Sequence, residues 1–525
     1  MNFFKDALGR DVLPLGLQTH NSSTGVPEML DREIRAVELY GGNLLEAPVY
    51  WYATEPEQGR FDFAQVDDLI ERCRAHGLML ILLWFAMSKN GHPNYAPEWV
   101  KRDPETYRIA RGRDGAPVAS LSPHCMATCD ADAAAFKALM AHLKAYDGDA
   151  RTVVAVQVEN EMGYANTDMD YSDDVKAVYE KGVPDALMDI EIEGSGVVPS
   201  GRSWRTRFGR YAHEAFSAWA HAEYIERVAA AGKAAYDMPL IMNVMLGENG
   251  YEESGYCYNG GSAVSRMIDV YKAVARSIDL ICPDMYVPDR ARWRRVVSAY
   301  DRADNPLFIP ESPTGGVAAA MNMMEAFADF GCIGLACFGA AGALDVNGAL
   351  LPEAREVALS MKAVRGVAPL LLRYRGTGQV HAIVQQEFMT EQLVETERYH
   401  ALARFMDGAP HFGMGSYINQ HDPANRDILT ARGRALLIQT GADEFYLSGA
   451  GVKVDFIYRP DPLQEDSYPL IGSRQTGTLN YLSIEEGHFE RDTWVADRYR
   501  CGDEGNMAVY VHRGETVRIR LNPYK

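Results

Sequence analysis

The sequence predicts an α/β fold: a (β/α)8 TIM barrel over residues 1–365, followed by a C-terminal β-sandwich domain over residues 366–525. Three observations carry this. Eight apolar segments alternate with amphipathic stretches as far as about residue 365. No Gly-x-Gly-x-x-Gly follows the first of them, which gives a dinucleotide-binding sheet little support. Beyond residue 366 the periodicity changes to short alternating runs separated by Gly, Asp, Asn and Pro, the pattern of a sandwich.

The eight strand candidates are Val12–Leu17, Asn43–Val49, Met79–Trp84, Val153–Val158, Leu240–Val244, Ile278–Pro283, Leu307–Pro310 and Ile333–Phe338. Strands buried on both faces read as such near-continuous apolar runs. Helical periodicity appears between them at Phe63–His76, Ala131–Lys144, Phe208–Ala231, Ser262–Ser277 and Ala318–Phe330. In the second domain, strands are expected at Arg434–Gln439, Glu444–Leu447, Val452–Tyr458, Leu479–Ile484, Thr493–Tyr499 and Met507–His512. The mixed stretch Arg373–His411 reads as a bridging layer, and Met169–Ser203 as a loop above the barrel mouth with Trp204 beside it.

Composition narrows the function classes. Of 525 residues, 47% are hydrophobic and 24% charged, the balance of a globular protein. No apolar run approaches the ~18 residues of a membrane span. The net charge of −20 opposes broad affinity for nucleic-acid phosphates and suits a neutral substrate. Met1–Asp6 lacks a basic stretch leading into an apolar core, and cysteines such as Cys282 and Cys337 lie in apolar settings. Both features favour a reducing cytoplasm. Cys125 and Cys129 flank a zinc-like spacing beside His124, but no second close pair completes a ligand set, so no metal is expected.

The chemistry is read from two strand ends. Val153–Val158 runs into Glu159-Asn160-Glu161, and Leu307–Pro310 runs into Glu311. Catalytic groups of a parallel barrel stand at the carboxyl ends of its strands. The fourth and seventh strands lie on opposite sides of the mouth, so Glu161 and Glu311 can face each other across a sugar. One carboxyl protonates the leaving oxygen while the other attacks, or activates water, at the anomeric carbon; the gap is about 5 Å in retaining enzymes and at least about 6.5 Å in inverting ones. Strict alternation puts Gln157, Glu159 and Glu161 on one face, with Glu159 as rival acid or as a buried partner. Asn160 could hold a sugar hydroxyl. Trp84 could form an apolar platform or belong to the core; Asn90, Asn243 and His20 could bind hydroxyls or cap loops. Glu46, inside an apolar strand, needs a partner if it is buried.

Longer stretches then point to a family. Leu17–Ser23, Pro48–Trp51, Glu55–Phe63, Leu83–Phe85, Lys89–Gly91, Ala96–Lys101, Gln157–Gly163, Ala229–Lys233, Ile278–Tyr286 and Phe308–Ser312 run in order through most of the barrel. Together they resemble the bacterial β-galactosidases of glycoside hydrolase family 35, clan A, in the branch with a β-rich C-terminal module. The resemblance implies a retaining double displacement on an oligosaccharide or glycoside, without a cofactor. Glu161 matches the acid/base, Glu311 the nucleophile, and Tyr286 a tyrosine that contacts the nucleophile. The chain departs from the eukaryotic-like members of the family at Trp84–Asn90, where they carry an Ala-Glu-Asn/Trp type motif, and it has only small residues, Gly339–Gly342, after the eighth strand. The sugar therefore stays open among galactoside, glucoside, fucoside and arabinopyranoside. A carbohydrate-binding barrel without catalysis is the reading from another class. Homo-oligomerisation is compatible with the sequence, but no segment marks it.

Overall fold

The computed structural model describes residues 3–248, 253–387, 389–405, 432–458, 481–501 and 509–522. The parts of expected elements at 406–411, 479–480 and 507–508 lie outside the described residues. The described chain forms two compact units. One comprises residues 1–35, 43–312 and 334–341; the other comprises 36–42, 313–333 and 342–525. This division differs from a cut at 365/366, because helices Val317–Asp329 and Pro352–Gly366 group with the C-terminal sheets.

In the first unit, β1 (Leu15–Gln18), β2 (Leu44–Tyr50), β3 (Met79–Lys89), β6 (Val153–Asn160), β7 (Leu240–Val244), β8 (Leu280–Pro283) and β9 (Leu335–Phe338) form one parallel sheet in the order β8-β7-β6-β3-β2-β1-β9. The hairpin β4 (Ile109–Arg111) and β5 (Pro117–Leu121) is a separate antiparallel pair. The expected seventh strand, Leu307–Pro310, does not form a regular ladder. It joins both edges by parallel bridges, Asp284 with Glu311 and Ile309 with Leu335, supported by Met285 N–H to Glu311 O at 2.7 Å and Ala336 N–H to Ile309 O at 2.8 Å. Pro306 and Pro310 have no N–H to donate, which limits the pairing. The arrangement is TIM-like.

Register decides which side chains enter the barrel. Glu46 pairs with Gln18 and Ile81, Gln157 with Leu83 and Ile241, and Asn243 with Cys282. These residues share the inward face. Trp84 and Val158, paired one position further on, share the outward face toward the helix layer.

In the second unit, β10 (Val380–Val384), β11 (Glu391–Glu395), β12 (Tyr399–Phe405), β13 (Arg434–Gly441), β14 (Glu444–Ala450), β15 (Val452–Tyr458), β16 (Tyr481–Glu490), β17 (Thr493–Tyr499), β18 (Val509–Val511) and β19 (Glu515–Leu521) form two antiparallel sheets. Their orders are β10-β13-β14-β19-β16-β17 and β11-β12-β15-β18. Alternate residues of both sheets, including Leu437, Leu447 and Ile519 from one and Ala401, Val454 and Val511 from the other, share one buried cluster. The opposite face of the larger sheet meets the helix Pro352–Gly366, where buried Arg434 pairs with Glu356 at 2.6 Å and its Nε donates to Ser360 at 2.6 Å. A guanidinium out of water requires such partners.

Candidate active site

The mouth of the barrel gathers a group of polar side chains from separate strands. Glu311, 4% exposed, receives three donors: Gln18 Nε2 at 3.0 Å, the Tyr286 hydroxyl at 2.8 Å and Asn243 Nδ2 at 3.3 Å. The charge of Glu311 in turn helps to raise the pKa of the Tyr286 phenol, after burial.

Glu161 is held from its backbone. Its N–H donates to Asn243 Oδ1 at 2.9 Å, and its carbonyl accepts from Asn259 Nδ2. One asparagine side chain thus links the backbone of one carboxylic residue to the carboxylate of the other. The next turn keeps the chain close, since a Cβ on Gly163 (φ 151°) would stand 2.6 Å from Asn259 Cβ. Burial first, and then the charge of Glu311, raises the Glu161 pKa to about 7, against the opposing effects of Lys89 and a hydrogen bond with Asp284. One carboxyl is therefore tuned as an acid while its counterpart is surrounded by donors.

Glu159 departs from the expected alternation. Both Glu159 (φ 62°) and Glu161 (φ 43°) have left-handed backbone, which costs a non-glycine residue about 1–2 kcal/mol. The turn at Glu159 sends its carboxyl out of the mouth, into a bulge of β3 between Trp84 and Lys89. There it accepts from Met87 N–H at 3.2 Å and Ser88 N–H at 2.7 Å. Burial and then the charge of Asp132 push its pKa well up. Glu159 is a buried partner that shapes the end of β3.

The same network takes Trp84 away from the mouth. Its indole is fully buried and donates to Asp132 Oδ1 at 2.8 Å, and Asp132 Oδ2 accepts from the Tyr224 hydroxyl at 2.8 Å. The sugar-platform reading of Trp84 therefore gives way to a core role, because its strand position faces the helices. Trp84→Ala is expected to cost about 3–5 kcal/mol of stability, measured by denaturant unfolding. Trp204 is likewise packed, against Tyr179, Phe216 and Trp219, rather than placed as a wall.

Lys89, turned inward by the bulge, donates to Asn160 Oδ1 at 2.8 Å and to Asn90 Oδ1. A lysine can only donate, so it fixes the Asn160 amide with Oδ1 toward the ammonium and Nδ2 away from it, and that buried Nδ2 has no partner among the described residues. Asn90 (φ 55°) is half-buried beside it, its N–H donating to Asn160 O at 3.2 Å. Below this ring Glu46 is fully buried with both carboxyl oxygens unpartnered among the described residues. Burial and then the charge of Glu311 raise its pKa well above the usual range. His20 lies exposed at the rim, its ring edge-on to Phe338 at 5.6 Å and its N–H donating to Glu33 at 3.1 Å.

Glu161, Glu311, Asn160, Asn243, Tyr286, Asn90 and Glu46 thus assemble in or beneath the mouth, His20 stands at its edge, and Trp84 is elsewhere. Sequence reasoning missed Gln18, Lys89 and Asp284. Asp284 is fully buried, accepts from Asn243 Nδ2 at 2.8 Å, and is pushed well above the usual carboxylate range by burial and by the charges of Glu311 and Glu161. Its inward position follows from alternation with Cys282, once the register of β8 is known. Among the described residues no cluster of His, Cys, Asp and Glu has a metal-binding arrangement. None of the described helices is long and apolar enough to cross a membrane.

Comparisons with known proteins locate this geometry among relatives. A curated "Beta-galactosidase" of Xanthomonas manihotis is 29% identical over 164 residues, 31% of this chain and 26% of that protein. The chain thus spans about a quarter of the relative it matches. The fold resembles that of the beta-galactosidase from Bacillus circulans sp. alkalophilus (TM-score 0.50, 16% identity, 69% of this chain and 57% of the other). It also resembles the catalytic domain of beta-amylase from Paenibacillus polymyxa (TM-score 0.50, 11% identity, 66% of this chain and 96% of the other). Residues 358–511 match a domain of unknown function, DUF5597. Residues 21–234 match the model Glyco_hydro_42, described as "Beta-galactosidase"; the match points to glycoside hydrolase family 42 rather than to the family 35 resemblance drawn from short motifs.

Proposed function

We propose that the chain is a retaining, exo-acting β-glycosidase, best read as a β-galactosidase that removes terminal non-reducing β-D-galactosyl residues from oligosaccharides. The observation that carries this reading is the pairing of a buried acid, Glu161 at about 7, with a carboxylate, Glu311, that accepts from Gln18, Tyr286 and Asn243. The family 42 match and the relative from Xanthomonas manihotis favour galactose as the sugar.

In the first step Glu311 attacks the anomeric carbon while Glu161 gives its proton to the leaving oxygen. In the second, Glu161 takes a proton from water, which displaces Glu311 and restores the β configuration. Tyr286 orients the nucleophile through its hydroxyl hydrogen bond. Asn160 Nδ2, oriented by Lys89, suits the sugar 2-hydroxyl, where a hydrogen bond strengthens as charge builds at the neighbouring carbon. Asn90, Glu46 and His20 are proposed as hydroxyl contacts. Residues 1–365 would form the catalytic barrel and 366–525 a β-sandwich. The buried thiols suit a reducing cytoplasm, and the net charge of −20 suits a neutral substrate over nucleic acid. Cofactor-free catalysis and homo-oligomerisation complete the proposal.

A panel of aryl β-D-glycosides tests the sugar. The galactoside should be turned over fastest, and kcat/KM should fall as pH rises through about 7, because Glu161 must carry its proton in the first step. Faster turnover of another glycoside would replace the sugar and keep the mechanism. Binding without turnover across the panel would favour a carbohydrate-binding barrel.

A further inference from the structure

We infer that Asn243 is a positioning residue rather than a sugar contact: its single amide ties the backbone of Glu161 to the carboxylate of Glu311 and so sets the two at a fixed separation. The inference rests on the glycosidase reading. Its basis is a set of three hydrogen bonds. Asn243 Oδ1 accepts from Glu161 N–H at 2.9 Å, and Nδ2 donates to Asp284 Oδ2 at 2.8 Å and to Glu311 Oε1 at 3.3 Å. An amide nitrogen carries two hydrogens, and both are used within the protein, which leaves none for a sugar hydroxyl. Asn160 is the opposite case, since its Nδ2 has no partner among the described residues. The neighbours also dictate which way the Asn243 amide lies. Turned over, it would set its oxygen against two carboxyl groups and its NH2 against an N–H.

The backbone explains why a side chain is needed at this point. β6 and β7 pair only at Val156 with Leu240 and Gln157 with Ile241. Further along, the chain takes left-handed backbone at Glu161 (φ 43°), a conformation that persists only where its surroundings over-determine it. Two asparagines supply that hold: Asn243 takes the Glu161 N–H, and Asn259 Nδ2 donates to its carbonyl. On its other side Asn243 is in register with Cys282 of β8, and Asp284, two residues on, bridges Glu311. Met285 N–H donates to Glu311 O at 2.7 Å in the same segment. The amide therefore joins the turn that carries the acid to the segment that carries the nucleophile. The first half-reaction needs both carboxyls placed at once, and a displacement of about 1 Å can cost about 10²-fold in rate.

Deoxygenated substrates separate positioning from sugar binding. Asn243→Ala should lower kcat/KM on an aryl β-galactoside by about 10- to 100-fold. The same factor, within about threefold, should appear on each monodeoxy analogue, because no hydroxyl loses a partner of its own. A hydroxyl whose removal costs wild type about tenfold and the variant nothing would mark Asn243 as its binding partner and overturn the inference. An unchanged kcat/KM would overturn it equally. Asn243→Asp has the same shape and keeps an acceptor for Glu161 but has no amide to donate. A uniform loss is expected of it too, and it carries the comparison if Asn243→Ala does not fold.

A second measurement needs no turnover. Hydrogen exchange followed by mass spectrometry should show the Glu161 amide about tenfold or more less protected in Asn243→Ala than in wild type. Equal exchange in the two proteins would contradict the tether. If the protection is lost but wild type hydrolyses no glycoside, the glycosidase reading fails and the tether stands.

Discussion

Glu311→Ala is expected to lower kcat on an aryl β-galactoside by roughly 10⁴-fold or more, the scale seen when a covalent nucleophile is removed. The geometry makes the loss specific. Gln18, Tyr286 and Asn243 all donate to this carboxylate, and none of them can attack carbon in its place. Removing Glu311 also removes the charge that helps to hold Glu161 at about 7, so the Glu161 pKa should fall. Added azide should enter the space left by the carboxylate and attack from the same face. The product would be the α-glycosyl azide, identifiable by NMR. A β-azide from this variant would place the nucleophile elsewhere.

Glu161→Ala should behave in the opposite manner. General acid catalysis contributes about 10²–10⁴-fold, and its share depends on how much the leaving group needs a proton. Glycosides with alkyl or sugar leaving groups should therefore lose most activity. A dinitrophenyl glycoside should still form the glycosyl-enzyme and then stall, because no base activates water. Azide needs no base, so it should rescue turnover and yield the β-glycosyl azide. Equal losses on good and poor leaving groups would remove Glu161 from the acid role and turn attention to Asp284.

Most of the barrel was legible because buried parallel strands leave apolar runs. Leu240–Val244 appears with the same bounds in sequence and structure, and Val153–Val158 is short by two residues at its polar end. Leu307–Pro310 was recognisable as a barrel segment, yet its flanking prolines leave only bridges where a ladder was expected. The hairpin Ile109–Leu121 and the helix Arg290–Tyr300 escaped notice; the hairpin strands are only three and five residues long, and the helix has an arginine-rich surface over a few buried positions.

The site was legible where it depends on residue type at a strand end, and obscure where it depends on register or backbone turn. Glu161 and Glu311 follow apolar runs, so their roles could be proposed from order alone. Trp84 looks like a sugar platform in sequence, but its pairing opposite Val158 turns it toward Asp132. Glu159 should share a face with Glu161 by alternation; its positive φ breaks that alternation, and no glycine announces the turn. Lys89 reaches the mouth only because β3 bulges after Trp84. Asp284 was visible within a matching stretch, but its contact with Asn243, 41 residues earlier in the chain, depends on the register of β7 against β8, which sequence pattern does not show.

The central claim, a covalent sugar on Glu311, can be tested directly by trapping. A 2-deoxy-2-fluoro-β-galactoside with a good leaving group should inactivate the enzyme with a stoichiometry of about one sugar per chain. Proteolysis and mass spectrometry should place the added mass on the peptide containing Glu311. Labelling of any other carboxylate, or steady turnover with no adduct and release of the α-sugar first, would contradict the account.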